Sequence, residues 1–422
     1  MKAILVAAEL KNARERAAGS ATSLEELWRL AETADVEPVK MISVRLAQWN
    51  AATLIGSGKV EEIKQLAAEA GAGALIFDED LTPAQQRNLE RETGLLVIDR
   101  TRLIIEIFAL RARTREGILQ TRLAKFSYAL SRIAGKGTGM DQQRGVIGGR
   151  GSGEKKIEYD RRTLRVKISE LEEEIDSIKR ERRTQRGKRD SVPMPQVSIV
   201  GYTNAGKSTL LNYLTGNRHA IYADDKLFAT LDPSTKRVRL PSGGWALFTD
   251  TVGFIQKLPH ALVASFRATL DEISYSDLIL HVHDFSSPDA KLQHEAVKAT
   301  LQELGAREVP VINVFNKADL VKGKATAAWA PERLRPVFVS ALTGNGVAPL
   351  LAACERALSL RWGEFSITVP PGSKGLIKEI YASCLVMNAD YAREGVTLKF
   401  KATPENYARI TKKVAAALAD GG

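Results

Sequence analysis

The chain has 422 residues, 44% of them hydrophobic, and a formal net charge of +11 at pH 7. This length predicts two to four domains, and the apolar content suffices for packed cores. The two cysteines, Cys354 and Cys384, exclude a disulfide-stapled secreted fold and favour a reducing compartment. No apolar run approaches the roughly 20 residues that span a bilayer, and residues 1–6 are typical of a strand rather than a signal peptide. We therefore expect a cytoplasmic protein without a membrane span.

The positive charge is concentrated in one segment. Residues 111–190 contain 22 Lys and Arg against 12 Asp and Glu, a net charge of +10. The rest of the chain is therefore almost neutral. A charge placed in this way predicts a polyanionic partner that contacts this segment.

Residues 1–110 alternate strand and helix patterns. Apolar runs at 3–8, 39–46, 74–77 and 95–98 predict strands, with helices between them at 22–34, 59–70 and 83–92. This order indicates an α/β domain with a mostly parallel sheet. The tetrapeptide Gly56-Ser57-Gly58-Lys59 resembles part of a phosphate-binding loop, but Thr53 replaces the first glycine and Val60 the Ser/Thr. A glycine turn before a helix is the favoured interpretation.

Residues 111–190 predict an antiparallel helical hairpin. Apolar residues recur every three or four positions in two stretches: Leu119, Leu123, Phe126, Leu130 and Ile133, then Leu164, Ile168, Leu171, Ile175 and Ile178. Between them, residues 135–153 include eight glycines and cannot form a helix. A plain linker is the alternative, but linkers are seldom so basic. We favour phosphate-backbone contact with a nucleic acid through a basic set: Arg144, Arg150, Lys155, Lys156, Arg161 and Arg162.

A complete G-x-x-x-x-G-K-S motif follows the hairpin, between an apolar strand and a helical pattern. It comprises Gly201, Tyr202, Thr203, Asn204, Ala205, Gly206, Lys207 and Ser208, with Thr209 next. The glycines let backbone N–H groups face phosphate oxygens, the lysine reaches the β- and γ-phosphates, and the serine offers a hydroxyl to Mg²⁺. The sequence therefore predicts a nucleoside triphosphate site.

Three later motifs each follow an apolar strand. The first is Asp250, Thr251, Val252 and Gly253, the second is Asn316, Lys317, Ala318 and Asp319, and the third is Ser340, Ala341 and Leu342. Asp250 can act on the Mg²⁺ water shell, and the Gly253 N–H can sense the γ-phosphate. The Asp319 carboxylate can accept from both N1–H and the 2-amino group of guanine. This order of motifs at strand ends predicts a guanine-nucleotide switch.

The predicted fold class is multidomain α/β. Its domains are an N-terminal α/β domain (1–110), the basic hairpin (111–190), a P-loop GTPase domain (195–362) and a small C-terminal α+β domain (363–422) in β-α-β-β-α order. The five histidines are scattered along the chain and predict no metal-ligand cluster.

In these motifs and in several other segments, the chain resembles the HflX family of ribosome-associated GTPases. The resemblance rests on residues 54–62, 83–89, 145–154, 160–162, 227–233 and 250–254, and it extends over nearly the whole chain. It departs at residues 149–155, where the family usually has Thr-Arg-Gly-Pro-Gly-Glu-Thr. The resemblance implies binding to the large ribosomal subunit through rRNA and GTP-dependent splitting of stalled ribosomes.

The resemblance also implies the first switch and the ions. The switch is Phe228, Ala229, Thr230, Leu231 and Asp232, in which Thr230 completes the Mg²⁺ shell with Ser208. Lys207, Thr230, Asp250 and Gly253 are then the catalytic set for hydrolysis of GTP to GDP. Asn204 resembles an asparagine that coordinates K⁺ in related GTPases, with turn-shaping as the alternative. Phe254 stands where many GTPases carry the glutamine that orients water, so we expect slow intrinsic hydrolysis.

Two other functions compete. An NTP-driven RNA remodeller needs a complete second phosphate motif in residues 1–110, which is lacking. A GTPase scaffold for a non-ribosomal protein does not explain the charge of the hairpin. We expect a monomer, while the physiological trigger and the rRNA helices contacted are not readable from the sequence.

Overall fold

The computed structural model describes residues 1–11, 17–134, 152–189, 194–217, 227–228, 231, 233–257, 273–321, 329–360 and 362–419. The chain forms two compact units. One comprises residues 1–179, 224–232 and 256–267, and the other comprises residues 180–223, 233–255 and 268–422. Within the described residues, no helix is both long and apolar enough to cross a membrane.

The first unit contains a four-stranded sheet of order β2-β1-β3-β4, all parallel. Its strands are β1 (Lys2–Leu10), β2 (Glu37–Leu46), β3 (Ala74–Phe77) and β4 (Leu96–Asp99). The connecting helices are α1 (Ala17–Thr33), α2 (Ser57–Ala70), α3 (Pro83–Thr93) and α4 (Arg100–Arg111). The predicted alternation and parallel sheet are confirmed, and the apolar runs of β1 and β3 are buried as expected for a sheet covered by helices.

The start of α3 follows directly from its sequence. The Thr82 hydroxyl accepts from the Gln85 N–H at 3.2 Å, and the Gln85 side chain accepts from the Thr82 N–H at 2.9 Å. This capping box satisfies two N–H groups that a helix end leaves without partners, and Pro83 supplies the first helical φ.

The basic segment contains the two long helices α5 (Arg115–Ala134) and α6 (Ser152–Arg189). Arg115 of α5 pairs with Glu174 of α6 at 2.6 Å, whereas Lys167 lies over the Phe126 ring at 5.6 Å. As the residue number increases along α5, the number of the contacting residue in α6 decreases, so the two helices run antiparallel. Apolar residues from both predicted stretches are buried: Leu119, Leu123, Leu171 and Ile175.

Helix α5 is anchored to the end of β4. The Tyr128 hydroxyl donates to Asp99 Oδ1 at 3.0 Å, and Arg132 pairs with the same carboxylate. Asp99 also accepts from the Arg102 N–H at 2.9 Å and so caps α4. One buried carboxylate therefore joins the sheet, α4 and the hairpin.

The second unit contains a six-stranded sheet of order β10-β9-β8-β5-β7-β6, in which the β6–β7 pair is antiparallel. Its strands are β5 (Gln196–Gly201), β6 (Ser234–Arg239), β7 (Trp245–Asp250), β8 (Leu278–Asp284), β9 (Val311–Asn316) and β10 (Val337–Phe338). The helices are α7 (Lys207–Leu214), α8 (Ala290–Glu303) and α9 (Val347–Ser359). The parallel strands β5, β8 and β9 are adjacent, so their carboxyl ends meet at one edge.

The chain after α9 forms a smaller antiparallel sheet of order β11-β13-β12. It comprises β11 (Gly363–Val369), α10 (Lys374–Ser383), β12 (Leu385–Ala392), β13 (Gly395–Ala402) and α11 (Pro404–Ala419). The Phe365 and Tyr407 rings stack at 3.9 Å and pack α11 onto the sheet. The element order matches the predicted β-α-β-β-α order.

Candidate functional site

The loop between β5 and α7 turns through three residues with positive φ: Gly201 (156°), Asn204 (60°) and Gly206 (87°). A Cβ on Gly201 would lie 2.2 Å from the Val282 carbonyl oxygen. One on Gly206 would lie 2.2 Å from Asn316 Nδ2. Both glycines are therefore required, because backbone and a neighbouring side chain occupy the space of any larger residue.

Lys207 begins α7 inside this loop and is 6% exposed. Its ammonium group donates to the carbonyls of Gly201 (3.2 Å) and Tyr202 (2.9 Å). Burial lowers the pKa of Lys207 to about 8, and the Asp250 carboxylate counteracts this in part. A buried cation in a loop at a helix N-terminus is an environment that a bound phosphate would stabilise.

Ser208 and Asp250 bring two hard oxygen donors together. The Ser208 hydroxyl donates to Asp250 Oδ2 at 2.6 Å, and Asp250 is buried at the end of β7. Hydroxyl and carboxylate oxygens are the ligands that Mg²⁺ prefers. The residues present therefore fit a Mg²⁺ ion beside the phosphate loop.

The segment after β7 lies directly against the phosphate loop. The Thr203 N–H donates to the Phe254 carbonyl at 2.8 Å, and the Phe254 N–H donates to the Gly201 carbonyl at 3.1 Å. A Cβ on Gly253 would lie 3.1 Å from Lys207 Nζ. The Phe254 side chain is 3% exposed. Backbone therefore faces the site here, and the residue after Gly253 belongs to the core.

Asn316 connects the phosphate loop to the predicted base-binding motifs. Its Nδ2 donates to the Ala205 carbonyl at 2.9 Å, and its Oδ1 accepts from the Ala341 N–H at 2.9 Å. The Ala318 N–H donates to the Val339 carbonyl at 3.1 Å. The phosphate loop, residues 316–319 and residues 340–342 are therefore held at one edge of the sheet, as their positions after strands predicted.

The remaining base-pocket residues differ in exposure. Asp319 is partly buried in a short 3-10 turn, Ala318–Leu320, whereas Ser340 is buried and Leu342 is 62% exposed. Lys317 adopts a positive φ of 62° and pairs with Asp284 at 2.6 Å. Asp284 was missed by the sequence reasoning, although its position at the end of β8 was a usable signal.

The described residues of the predicted first switch belong to the first unit. The Phe228 ring packs edge-on against Phe108 of α4, with centroids 4.7 Å apart, and the Leu227 N–H donates to the Thr33 hydroxyl at 3.1 Å. Leu231 is buried. The predicted residues Ala229, Thr230 and Asp232 lie outside the described residues.

Residues 256 and 257 belong to the first unit and contact the end of its strand β3. The sequence did not indicate this contact. Lys257 pairs with Asp78, at the end of β3, and lies 3.6 Å from Glu79. Arg100 pairs with Asp78 at 2.6 Å and donates to the Gln256 carbonyl at 3.0 Å. These charges lie at a strand end in a predicted parallel sheet, and this position was the available clue.

The predicted RNA-contacting residues are described only in part. Arg144 and Arg150 fall outside the described residues, as do the side chains of Lys155 and Lys156. On α6, Arg162 is exposed, and Arg161 lies 3.8 Å from Glu158.

The sequence did not reveal that three of the scattered histidines lie together in the fold. His281, His283 and His294 place ring nitrogens within 4.8 Å of one another. The fold brings them together, because alternate residues of β8 share a face and α8 packs on it. Of the other predicted metal ligands, Ser208 lies in the first turn of α7, and Thr230 lies outside the described residues.

Three family models match consecutive parts of the chain. They are a GTP-binding GTPase N-terminal region (residues 21–109), a GTP-binding GTPase middle region (111–189) and a 50S ribosome-binding GTPase domain (196–317). Among solved structures, a GTP-binding protein of Sulfolobus solfataricus in complex with GDP is 25% identical, with a TM-score of 0.43. That match covers 85% of this chain and 99% of the other.

Relatives align over most of the chain. A GTPase HflX of Caldanaerobacter subterraneus subsp. tengcongensis is 42% identical over 388 residues, covering 92% of this chain and 89% of the relative. The GTPase HflX of Escherichia coli K12 is 38% identical over 394 residues, covering 92% of each. With the phosphate loop and guanine motifs assembled at one sheet edge, this similarity establishes that the chain belongs to the HflX family and is a GTPase.

Proposed function

We propose that this GTPase binds the large ribosomal subunit in its GTP form and splits or rescues stalled ribosomes. In this proposal the basic hairpin contacts rRNA. The observation that carries it is the charge of residues 111–190, which contain 22 basic residues and 12 acidic residues. This segment includes the two antiparallel helices α5 and α6. Residues 196–317 match a 50S ribosome-binding GTPase domain. This match supports ribosomal RNA as the polyanion that the basic segment binds.

In this proposal, each group of the candidate nucleotide site has a role. Lys207 and the loop N–H groups would neutralise phosphate charge, and Asp319 with residues 340–342 would recognise guanine. Ser208 and Thr230 would bind Mg²⁺, which would supply charge neutralisation for the phosphates, and Asp250 would act through its water shell. The 2.6 Å contact between Ser208 and Asp250 supports this assignment.

Intrinsic hydrolysis is proposed to be slow. The buried Phe254 side chain offers no group to orient a water molecule, whereas its backbone is fixed to the phosphate loop. Most of the rate of such enzymes comes from positioning and charge stabilisation, so a partner that supplies a missing group would accelerate the reaction. This behaviour suits a timer that a large assembly triggers.

A K⁺ ion at Asn204 would be a second source of charge stabilisation. Asn204 is exposed and adopts a φ of 60°, which asparagine tolerates well, so the turn alone accounts for its conformation. Faster turnover in K⁺ than in Na⁺ at matched ionic strength supports the ion, and equal turnover assigns Asn204 to the turn.

The contacts within the first unit suggest how nucleotide state reaches the hairpin. The unit that carries the hairpin also contains residues 224–232 and 256–267, and GTPases reorder such segments on hydrolysis. Phe228 packs on α4, and Asp99 joins α4 to α5. We propose that loss of the γ-phosphate weakens ribosome binding through these contacts.

Sedimentation with purified subunits tests the proposal. The chain should pellet with large subunits in a non-hydrolysable GTP analogue and much less with GDP, and it should convert 70S particles into subunits. The small subunit serves as the control for general RNA affinity. Equal pelleting with both subunits in both nucleotide states would refute the proposal.

The two rival functions give other outcomes. An RNA remodeller would hydrolyse ATP at a second site, but Lys59 of the incomplete motif pairs with Glu62 at 2.7 Å, as an ordinary helix-surface residue does. A protein scaffold would show no salt-dependent RNA binding. Measured ATP turnover by the chain, or absence of RNA affinity, would favour these alternatives.

A further inference from the structure

The three clustered histidines lie in the second unit, in a buried position. His281 and His283 project from the same face of β8, and His294 projects from α8. Their exposures are 2%, 3% and 7%. They form a small cluster of polar rings inside a core where apolar side chains would pack without any desolvation cost.

The tautomer of His283 is fixed by its neighbour. The Asn313 amide donates through Nδ2 to the Leu334 carbonyl at 3.2 Å, so its Oδ1 faces His283 Nε2, 3.2 Å away, as an acceptor. Nε2 of His283 must then carry the proton, and Nδ1 carries the lone pair. A metal-binding histidine is typically oriented in this way by an oxygen acceptor behind it.

His294 supplies an independent indication. Its Nδ1 is buried and has no hydrogen-bond partner among the described residues. A buried polar atom without a partner destabilises the fold, because it has lost its hydrogen bonds to water.

We propose that His281, His283 and His294 bind one Zn²⁺ ion, independently of the proposed ribosomal function. Neutral imidazole nitrogens suit zinc, and three protein ligands leave a fourth position for water. Nitrogens bound to tetrahedral zinc lie roughly 3.4 Å apart, so the rings rotate to close their present separation of up to 4.8 Å. Asn313 stays in place as the acceptor that orients His283.

The ion would join β8 to α8 close to the nucleotide site. Asp284, the next residue after His283 and the last of β8, pairs with Lys317 of the guanine motif at 2.6 Å. A metal bridge at His281 and His283 would therefore stabilise the strand that supports this pair. The expected effect is a more stable GTPase domain, with no step of GTP hydrolysis at the ion.

The alternative is that the rings pack only as a hydrophobic-aromatic cluster. The His283 ring stacks on Phe315 at 4.6 Å, and the His294 ring lies 4.7 Å from Trp329. These contacts form one wall of the cluster. They do not satisfy Nδ1 of His294, which is why a ligand is the stronger interpretation.

Metal binding by the full-length chain tests the proposal. After chelator treatment, Co²⁺ should bind at about one ion per chain and give the visible absorption of a tetrahedral site, and Zn²⁺ should displace it. Excess Zn²⁺ should raise the melting temperature by at least about 5 °C. His283→Val and His294→Leu should each weaken binding at least tenfold while GTP binding is retained.

The double variant His219→Gln/His260→Gln is the matched control, because it removes the two other histidines of the chain. It should bind Co²⁺ as the unaltered chain does. Absence of stoichiometric binding by the unaltered chain would overturn the proposal. Equal binding by His283→Val and His294→Leu would do the same.

Discussion

Lys207 combines a positive charge with burial, and this makes nucleotide binding sensitive to pH. Burial lowers the pKa of Lys207 to about 8 in the free chain, and bound phosphates would raise it again. The nucleotide therefore prefers the protonated form. Affinity for GTP should fall about three- to fourfold between pH 7 and pH 8.5, as the free lysine loses its proton, when measured by fluorescence titration.

The variant Lys207→Arg is the control for this prediction, because arginine stays protonated over the whole range. It should bind GTP more weakly, since its fork does not fit the lysine position, and its affinity should not change over this pH range. A slope that persists unchanged in the arginine variant would assign the pH dependence to another group.

In the proposed nucleotide site, Asp319 is the residue that selects guanine. The change Asp319→Asn replaces one acceptor by a donor and should shift preference from guanine to xanthine nucleotides. The expected loss of GTP affinity is roughly 2–4 kcal/mol. Competition between GTP and XTP for the variant measures it, with Asp289→Asn as a control at another partly buried position of the same unit. Unchanged GTP binding would remove Asp319 from the base pocket.

At the scale of elements, the end of β3 carries a carboxylate with an unusual proton affinity. Burial and the neighbouring Asp78 raise the pKa of Glu79 to about 7, although Lys257 opposes this. Because the folded chain holds this proton more tightly than the unfolded chain, its contribution to stability is complete below about pH 4.5. It is lost as the pH rises through about 7.

The change Glu79→Gln should therefore stabilise the first unit at pH 8, by on the order of 2 kcal/mol, and have little effect at pH 5. Glutamine keeps an oxygen for the Ala8 N–H, which now donates to Glu79 at 3.0 Å. Hydrogen exchange of the β1 and β3 amides at both pH values measures the difference. Lower protection of the variant at pH 8 would contradict the pKa argument.

The sequence predicted individual elements where local patterns decide them. The β3 run Ala74–Phe77 and the Thr82 cap of α3 were both placed correctly, because a short apolar run and a capping box are local signals. Helix α1 begins at Ala17, five residues before the predicted start at residue 22. Boundaries of this kind depend on packing that no local pattern records.

In the whole molecule, the sequence pointed to the candidate nucleotide site because each of its motifs follows a strand. It did not find Asp284, the contacts of Lys257, or the histidine cluster. The first two join residues far apart in the chain, such as Asp78 and Lys257, and the third forms only because α8 packs on β8. Such pairs have no spacing to detect, and their partners become visible only when the sheet order is known.

The proposed contact of the glycine-rich hairpin segment with rRNA depends on a small set of basic residues. The quadruple change of Arg144, Arg150, Lys155 and Lys156 to glutamine should weaken large-subunit binding by orders of magnitude. The salt slope should fall by at most roughly one unit per lost phosphate contact. Changing the exposed Lys291, Lys298, Lys399 and Lys412 to glutamine gives a control of equal charge.

Quantitative sedimentation with large subunits over a salt series, beside GTP turnover without ribosomes, is the most direct measurement. The account predicts that the hairpin variant loses binding and ribosome-stimulated hydrolysis together, while its free turnover hardly changes. The control variant should bind nearly as the unaltered chain does. Normal subunit binding by the hairpin variant, with collapse of its free GTPase rate, would place these residues at the nucleotide site and contradict the account.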